Sequence, residues 1–407
     1  MTKIHNIIKN KSLPSFCTSN IDVLYSILLF CRVKKLPCLI ECTSNQVNQY
    51  GGYTKKTPKM FIRDINSLRK KIKFNKDKLY LGGDHLGPLP WKNKLKKVAL
   101  KNSRKLIEEF LKQKFCKIHI DTSIKCKDDK YIDSKVIFNR TEKILSDLNI
   151  QKKIKDKFII IGTEVPLSGS GDTKKMSITS KSQIKDESEK FKQILKNISL
   201  DNKSFGLVIE PGMKYMHSNV VKPNFINFLE KKDISKKNNF VFEAHSTDYQ
   251  SKKVLSLLVK NNFKFLKVGP ELTYNYSKAI FYMQKIEEIF FRKKKSNFKE
   301  VILTTMLKNK KYWKEYYSKD NFKLLVRSKL DRMRYYLNEK KVKNSINILK
   351  ENINKIKKDD IINLLNSKDK KLFNFYSKKR IKNFQILNTI FISKSISRYY
   401  EACGYRF

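Results

Sequence analysis

Histidine is scarce in this chain, with five in 407 residues, and three of them, His85, His217 and His245, fall just past short apolar runs beside Asp, Ser or Thr. Neutral imidazole suits Zn²⁺ and related divalent ions. Three imidazoles with one carboxylate would leave a place for a substrate oxygen if the coordination expands. The competing reading is three hydrogen-bonded rings that only stiffen their loops. His119 alternates with Ile118 and Ile120 and reads as a satisfied interior histidine, and His5 as a surface residue.

Asp84 precedes His85, and on an extended strand the two side chains would point to opposite faces. A turn at Gly82-Gly83 would let both reach one site, with Asp84 as a proton shuttle beside a metal-polarised carbonyl. A loop-capping aspartate is the alternative. Glu164 follows apolar and small residues and is the candidate for a fourth, metal-proximal carboxylate; its other reading is an ion pair with Lys267. Gly169-Ser170-Gly171 lacks the Lys-Ser/Thr ending of a phosphate loop and reads as a mobile lid. Arg332 and Arg334, with Tyr335 and Tyr336, are either an anion site or a salt-bridged helix. The polar residues Ser44, Asn45, Gln46, Asp121, Ser123, Glu243 and Lys267 are the expected substrate contacts.

Short β-branched or aromatic runs alternate with longer stretches of helical period, which predicts parallel strands with crossover helices. Eight strands are expected: Ser15 to Thr18, Cys38 to Thr43, Lys78 to Gly83, Lys117 to Asp121, Phe158 to Gly162, Phe205 to Ile209, Phe240 to Ala244 and Phe265 to Val268. Amphipathic segments follow each of them, among them Asn20 to Arg32, Pro58 to Ile72, Leu95 to Lys112, Ser134 to Leu148, Pro223 to Lys231 and Tyr274 to Phe291. That count is the α/β class and the TIM (β/α)₈ barrel, whose chemistry sits at the carboxyl ends of the strands, where these polar residues fall. Beyond Phe291 only lysine-rich helical segments remain, including Asn297 to Met306, Arg327 to Tyr336 and Asp359 to Leu365. The expected division is a barrel over 1–292 and a helical extension over 293–407.

The formal net charge of +51 would ordinarily raise nucleic acid as a partner. Only 12 of the 89 basic residues are Arg, the residue favoured for bidentate phosphate and base contacts, and the lysines are spread over the whole length. Nucleic acid is therefore not the expected partner, although anionic substrates would be steered electrostatically. Seven cysteines without a Cys-x-x-Cys pair point to reduced thiols rather than a disulfide framework or zinc ribbon. The apolar stretch Ile21 to Cys31 carries Asp22 and is about half the ~20 residues of a membrane span. It also lacks the position and cleavage site of a secretory signal, so a cytoplasmic chain is expected.

The segments Glu41 to Thr54, Leu81 to Pro88, Lys117 to Asp121, Ile161 to Pro166, Glu243 to Gln250 and Leu266 to Pro270 look like the GatZ/KbaZ family, the Z-type subunits of class II D-tagatose-1,6-bisphosphate aldolase. The likeness continues through Tyr312-Trp313 and Asp331 to Tyr336. It implies a barrel related to class II aldolases and a cytoplasmic role in galactitol or N-acetylgalactosamine breakdown. The family's Z-type subunit is regarded as non-catalytic alone, supporting the activity and stability of a separate catalytic Y-type subunit.

By the same resemblance, Asp84, His85, Glu164, His217 and His245 match the order of the class II Asp-His pair, Glu and later His residues around Zn²⁺, another divalent metal being the alternative. The resemblance departs after strands seven and eight, where His245 to Tyr249 and Lys267 to Glu271 replace glycine- and serine-rich phosphate loops. Asp248 and Glu271 would repel phosphate there, and Pro270 cannot donate an N–H. Two functions follow: an accessory subunit bound to a Y-type aldolase, or an autonomous metal-dependent ketose or ketose-phosphate aldolase or 4-epimerase working by retro-aldol cleavage; a homo-oligomer of this chain is a further partner expectation.

Overall fold

A computed structural model describes residues 3–163, 178–200, 205–223, 228–317 and 322–407. Eight parallel strands close into a barrel: β1 (Leu13–Cys17), β2 (Cys38–Thr43), β3 (Leu79–Leu86), β4 (Lys117–Ile120), β5 (Phe158–Ile161), β6 (Phe205–Val208), β7 (Phe240–Ala244) and β8 (Phe263–Val268). Each strand pairs with its neighbours in sequence, and β8 closes on β1 through Leu13 opposite Phe265. The all-apolar run Phe158-Ile159-Ile160-Ile161 is buried on both faces, as parallel strands covered by helices must be.

The helices begin where their caps dictate. Asn20 accepts the N–H groups of Asp22 and Val23 to start α1 (Ile21–Val33), and Thr57 caps α2 (Pro58–Ile72), which has Pro58 in its first turn. Next come α3 (Lys96–Lys112), α4 (Ser134–Leu145), α5 (Leu148–Ile154) and α6 (Lys181–Asn197). Ser180 and Gln183 form a capping box on α6. The outer layer is completed by α7 (Phe228–Lys237), α8 (Lys252–Lys260) and α9 (Pro270–Phe290).

Beyond the barrel lie α10 (Phe298–Lys308), α11 (Phe322–Arg327), α12 (Lys340–Lys355), α13 (Lys358–Asn363), α14 (Ser367–Ser377) and α15 (Asn383–Ala402). The last helix packs against α1, α8 and α9, so the chain's end returns to the barrel wall. Buried Asp22 on α1 ties the parts together: it accepts from Tyr276 at 2.9 Å and pairs with Lys350 at 2.8 Å. The carbonyl oxygen of Asp22 accepts the Asn388 amide at 3.0 Å.

The strand expectations lie within a few residues of these elements. Three features differ. Arg327 to Tyr336 is no single helix: α11 ends at Arg327, and a 3₁₀ turn, Arg332–Tyr335, follows Asp331 in a left-handed conformation with φ 46°. Among the described residues, the segment expected to start at Pro223 is helical only from Phe228. His5, on a short helix Lys3–Asn10 that the sequence reading missed, is buried against Phe158 with ring centroids 4.9 Å apart rather than on the surface. All seven cysteines are unpaired. No described helix is long and apolar enough to cross a membrane.

Candidate metal centre

Alternation along the strands sends every second side chain into the barrel. On β4 and just beyond it Lys117, His119 and Asp121 are spaced by two, as are Glu243 and His245 at the end of β7, and all five are buried. Asp84 arrives from β3. The strand does not stop at Gly83: it runs to Leu86, and its register with β4 slips between Gly83 and Leu86. His85 sits in that irregularity with φ 48°, which lets Asp84 and His85 reach one site although they are adjacent. Two glycines are fixed by close approach: a Cβ on Gly82 would lie 2.5 Å from Glu41 Oε1, and one on Gly87 would lie 1.6 Å from the Asp121 carbonyl oxygen.

His85, His119 and His245 form a triangle with ring centroids 4.9, 5.0 and 5.2 Å apart. Asp84 and the three histidines each offer a ligand atom within 4.8 Å of the others. Every ring is backed by a carboxylate: His85 Nδ1 by Asp121 Oδ2 at 3.0 Å, His119 Nδ1 by Asp84 Oδ1 at 2.9 Å, and His245 Nε2 by Glu243 Oε1 at 2.9 Å. A carboxylate takes the proton-bearing nitrogen, so in His119 and His245 the second nitrogen carries a free lone pair, while the His85 Nε2 faces Asp84 Oδ2 at 3.6 Å. The His85 backbone N–H also approaches His119 Nδ1 at 3.3 Å, but the shorter charge-assisted contact to Asp84 decides the tautomer. His119 Nε2 and His245 Nδ1 are buried without a hydrogen-bond partner among the described residues.

Burial lowers the pKa of His119 and, further, that of His245, so both rings are neutral and able to ligate. Burial opposes ionisation of Asp84, but His85, Lys267 and His119 outweigh it and hold the carboxyl well below its usual range. Burial is likewise outweighed at Asp121 by His85 and at Glu243 by Lys117 and His245. Orphaned imidazole nitrogens on carboxylate-oriented rings are the donor set a zinc-like ion requires, and these residues fit one.

Beneath the triangle Lys117 lies 2.6 Å from both Glu41 and Glu243, all three fully buried. One ammonium serves two carboxylates. Burial pushes Glu41 up to about 7 even with Lys117 beside it, while Glu243 stays ionised. Above the triangle opens a cavity of ≈ 1320 Å³, lined among others by Asn45, Gln46, His85, Ser123, His245 and Lys267. Its outer wall comes from the turns after α10 and α11 through Tyr312, Tyr316, Arg332 and Tyr335.

Over residues 1–404 the chain matches the family described as D-tagatose-1,6-bisphosphate aldolase subunit GatZ/KbaZ-like. The chain belongs to this family. Proteins named D-tagatose-1,6-bisphosphate aldolase subunit GatZ are similar at 32% identity. The one from Escherichia coli O1:K1 / APEC aligns over 357 residues, 83% of this chain and 84% of its own length. The one from Salmonella dublin aligns over 358 residues, 84% of each. Among solved structures, a probable tagatose 6 phosphate kinase from Sinorhizobium meliloti 1021 superposes with a TM-score of 0.83 at 26% identity, covering 96% of this chain and 100% of that one. The fructuronate-tagaturonate epimerase UxaE from Cohnella laeviribosi, at TM-score 0.50 and 10% identity over 97% of this chain and 82% of its own, shares the fold.

In this GatZ/KbaZ-like chain the expected residues part company. Asp84, His85 and His245 come together, but His217 does not join them: its Nδ1 meets Ser328 Oγ at 2.9 Å and its ring packs on Tyr317. The third imidazole is His119 instead. Its alternation with isoleucines suited a core residue, yet the spacing Lys117, His119, Asp121 was the signal that a polar face points inward. Glu164 and the Gly169 to Gly171 segment lie outside the described residues. Asn45, Gln46, Ser123 and Lys267 line the cavity; Ser44, Asp121 and Glu243 are buried behind its wall. Glu243 is taken up by Lys117 and His245, which leaves it out of reach of a substrate.

Proposed function

We propose that this chain is a cytoplasmic accessory subunit of a class II tagatose-bisphosphate aldolase, binding and stabilising a separate catalytic Y-type subunit in the breakdown of galactitol or N-acetylgalactosamine. The observation that carries this reading is the family match over residues 1–404 together with relatives named as the GatZ subunit of that aldolase. Co-expression with a Y-type subunit tests it. The two chains are expected to co-purify and the Y-type subunit to gain activity and thermal stability; separate elution with neither gain would refute the reading.

The imidazole triangle favours a second reading, an autonomous ketose or ketose-phosphate aldolase or 4-epimerase. His85, His119 and His245 would hold a divalent ion, Zn²⁺ by donor type. Such an ion, when bound, supplies Lewis acidity toward a sugar carbonyl. The chain's own groups then divide the work. Asp121, Asp84 and Glu243 fix the three rings, and Lys267, on the cavity wall, turns its buried ammonium to Asp84. Asp84 has both oxygens engaged and no exposed surface, which suits orienting His119 and Lys267 better than carrying a proton into the cavity. Turnover of tagatose or fructose phosphates by the purified, zinc-loaded chain alone decides for this reading, and its absence against it.

A further inference from the structure

The backbone after strands seven and eight, where barrel enzymes often seat a phosphate, is already committed. Asp248 Oδ1 accepts the N–H of Gly269 at 3.0 Å and of Glu271 at 2.8 Å. Glu271 Oε2 accepts the N–H of Tyr249 at 2.6 Å, and Pro270 has no N–H to give. A phosphate there would meet the carboxyl groups of Asp248 and Glu271 and find the N–H groups of Tyr249, Gly269 and Glu271 already taken.

The wall supplied by the turns after α10 and α11 is built differently. The Arg332 guanidinium lies 3.5 Å from the centre of the Tyr316 ring and 4.9 Å from that of Tyr335. Its Nε donates to the Tyr312 carbonyl oxygen at 2.6 Å, and among the described residues neither terminal nitrogen makes a hydrogen bond. Tyr312 and Tyr335 stack with centroids 4.8 Å apart, so the plane of the guanidinium is set before any ligand arrives. Arg334 is spent on the loop itself, donating to the carbonyl oxygens of Leu330 and Asp331 at 2.6 and 2.7 Å, and contributes only its charge. Burial opposes ionisation of the Tyr335 phenol, yet Arg334 and Arg332 outweigh it and lower its pKa, a sign of positive potential at this wall. Exposed Lys311 lines the same wall. Charge counting alone would not single this place out. Seven Lys or Arg against three carboxylates line the cavity, the same proportion as 89 to 38 in the whole chain.

We propose that Arg332, supported by Lys311, is the phosphate-binding group of the cavity, so that the turns after α10 and α11 and not the strand-seven and strand-eight loops select a phosphorylated sugar. Only the choice of a sugar as ligand rests on the aldolase reading. The test is calorimetric titration of the full-length, EDTA-treated protein with fructose 6-phosphate, inorganic phosphate and fructose. Both phosphates should bind and fructose should not. Arg332→Gln should weaken the phosphates at least about tenfold, the usual weight of a bidentate charge-assisted pair. Lys311→Gln, at an exposed position, should weaken them about two- to threefold, and it decides if Arg332→Gln fails to fold. Phosphate binding by neither compound, equal binding by wild type and Arg332→Gln, or, should that variant not fold, an unchanged Lys311→Gln would overturn the proposal. Co-purification with a Y-type subunit is read separately, so either idea can fail while the other stands.

Discussion

Asp121→Asn separates a metal centre from a set of merely packed histidines. Asp121 is 1% exposed; its Oδ2 takes the His85 Nδ1 proton at 3.0 Å, and its Oδ1 takes both the N–H and the hydroxyl of Ser123, at 3.0 and 2.6 Å. An asparagine of the same shape has one acceptor where the carboxylate has two. If its oxygen stays on Ser123, its amide N–H₂ faces His85 and forces the other tautomer, which places a proton on the nitrogen meant for the ion. If its oxygen turns to His85, two donors of Ser123 confront an N–H₂. Loss of such a carboxylate partner lowers metal affinity about 10- to 100-fold, or about 1.4–2.7 kcal/mol. Competition for Zn²⁺ against a chromogenic chelator at pH 7.5 reads the affinity, and circular dichroism reports the fold. His217→Gln is the control and should stay within about twofold of wild type, because His217 binds Ser328 instead. Wild-type affinity in folded Asp121→Asn, or an equal loss in His217→Gln, would refute the assignment.

Lys117→Met strips the counter-charge from two fully buried carboxylates, a change that typically costs about 3–5 kcal/mol, and adding Glu41→Gln should restore part of it; urea unfolding of both variants checks the order. Asp331 is pushed up to about 7 by burial, above its unfolded value, so its contribution to stability is fully present below about pH 4 and is lost as pH rises through about 7. Three pKa units at 1.36 kcal/mol each make that loss roughly 4 kcal/mol. Asp331→Asn, which tolerates the left-handed backbone, should therefore gain on wild type in melting temperature between pH 5.5 and 8.5; a wild type that gains on the variant over that range contradicts the burial argument.

The barrel was readable because its strands are short apolar runs and its helices start at Asn20, Thr57 and Ser180, each of which caps with its own side chain. The site was readable only where local pattern determines direction. His245 follows Glu243 by two residues and could be placed beside it. His85 could not be oriented from sequence, because its positive φ answers to the slip between β3 and β4, a long-range event. His217 misled for the opposite reason: it follows a predicted strand end closely in sequence, but the two-stranded ribbon Lys214–Tyr215 with Val220–Val221 carries the chain toward Ser328, so its ring belongs to the contact between barrel and extension. The helix α15 shows the same limit. Its apolar residues run all round it, since it is enclosed by barrel helices and by the extension, and no amphipathic period marks it.

The interior charge balance explains why these histidines are poor candidates for simple packing. Asp84, Asp121 and Glu243 are held ionised, Lys117 and Lys267 supply two ammoniums, and His119 and His245 are held neutral. Leaving His85 aside, these groups sum to one negative charge with Glu41 protonated and to two with Glu41 ionised. Buried ionic clusters are weak stabilisers, and apolar side chains of equal volume often serve a core as well or better. A barrel needing only to be filled would gain nothing from Lys117 and its two carboxylates, nor from the buried nitrogens of His119 and His245 that are left without a partner among the described residues. The cluster makes physical sense if a divalent cation is counted: it would meet the residual negative charge and take the free nitrogens of His119 and His245.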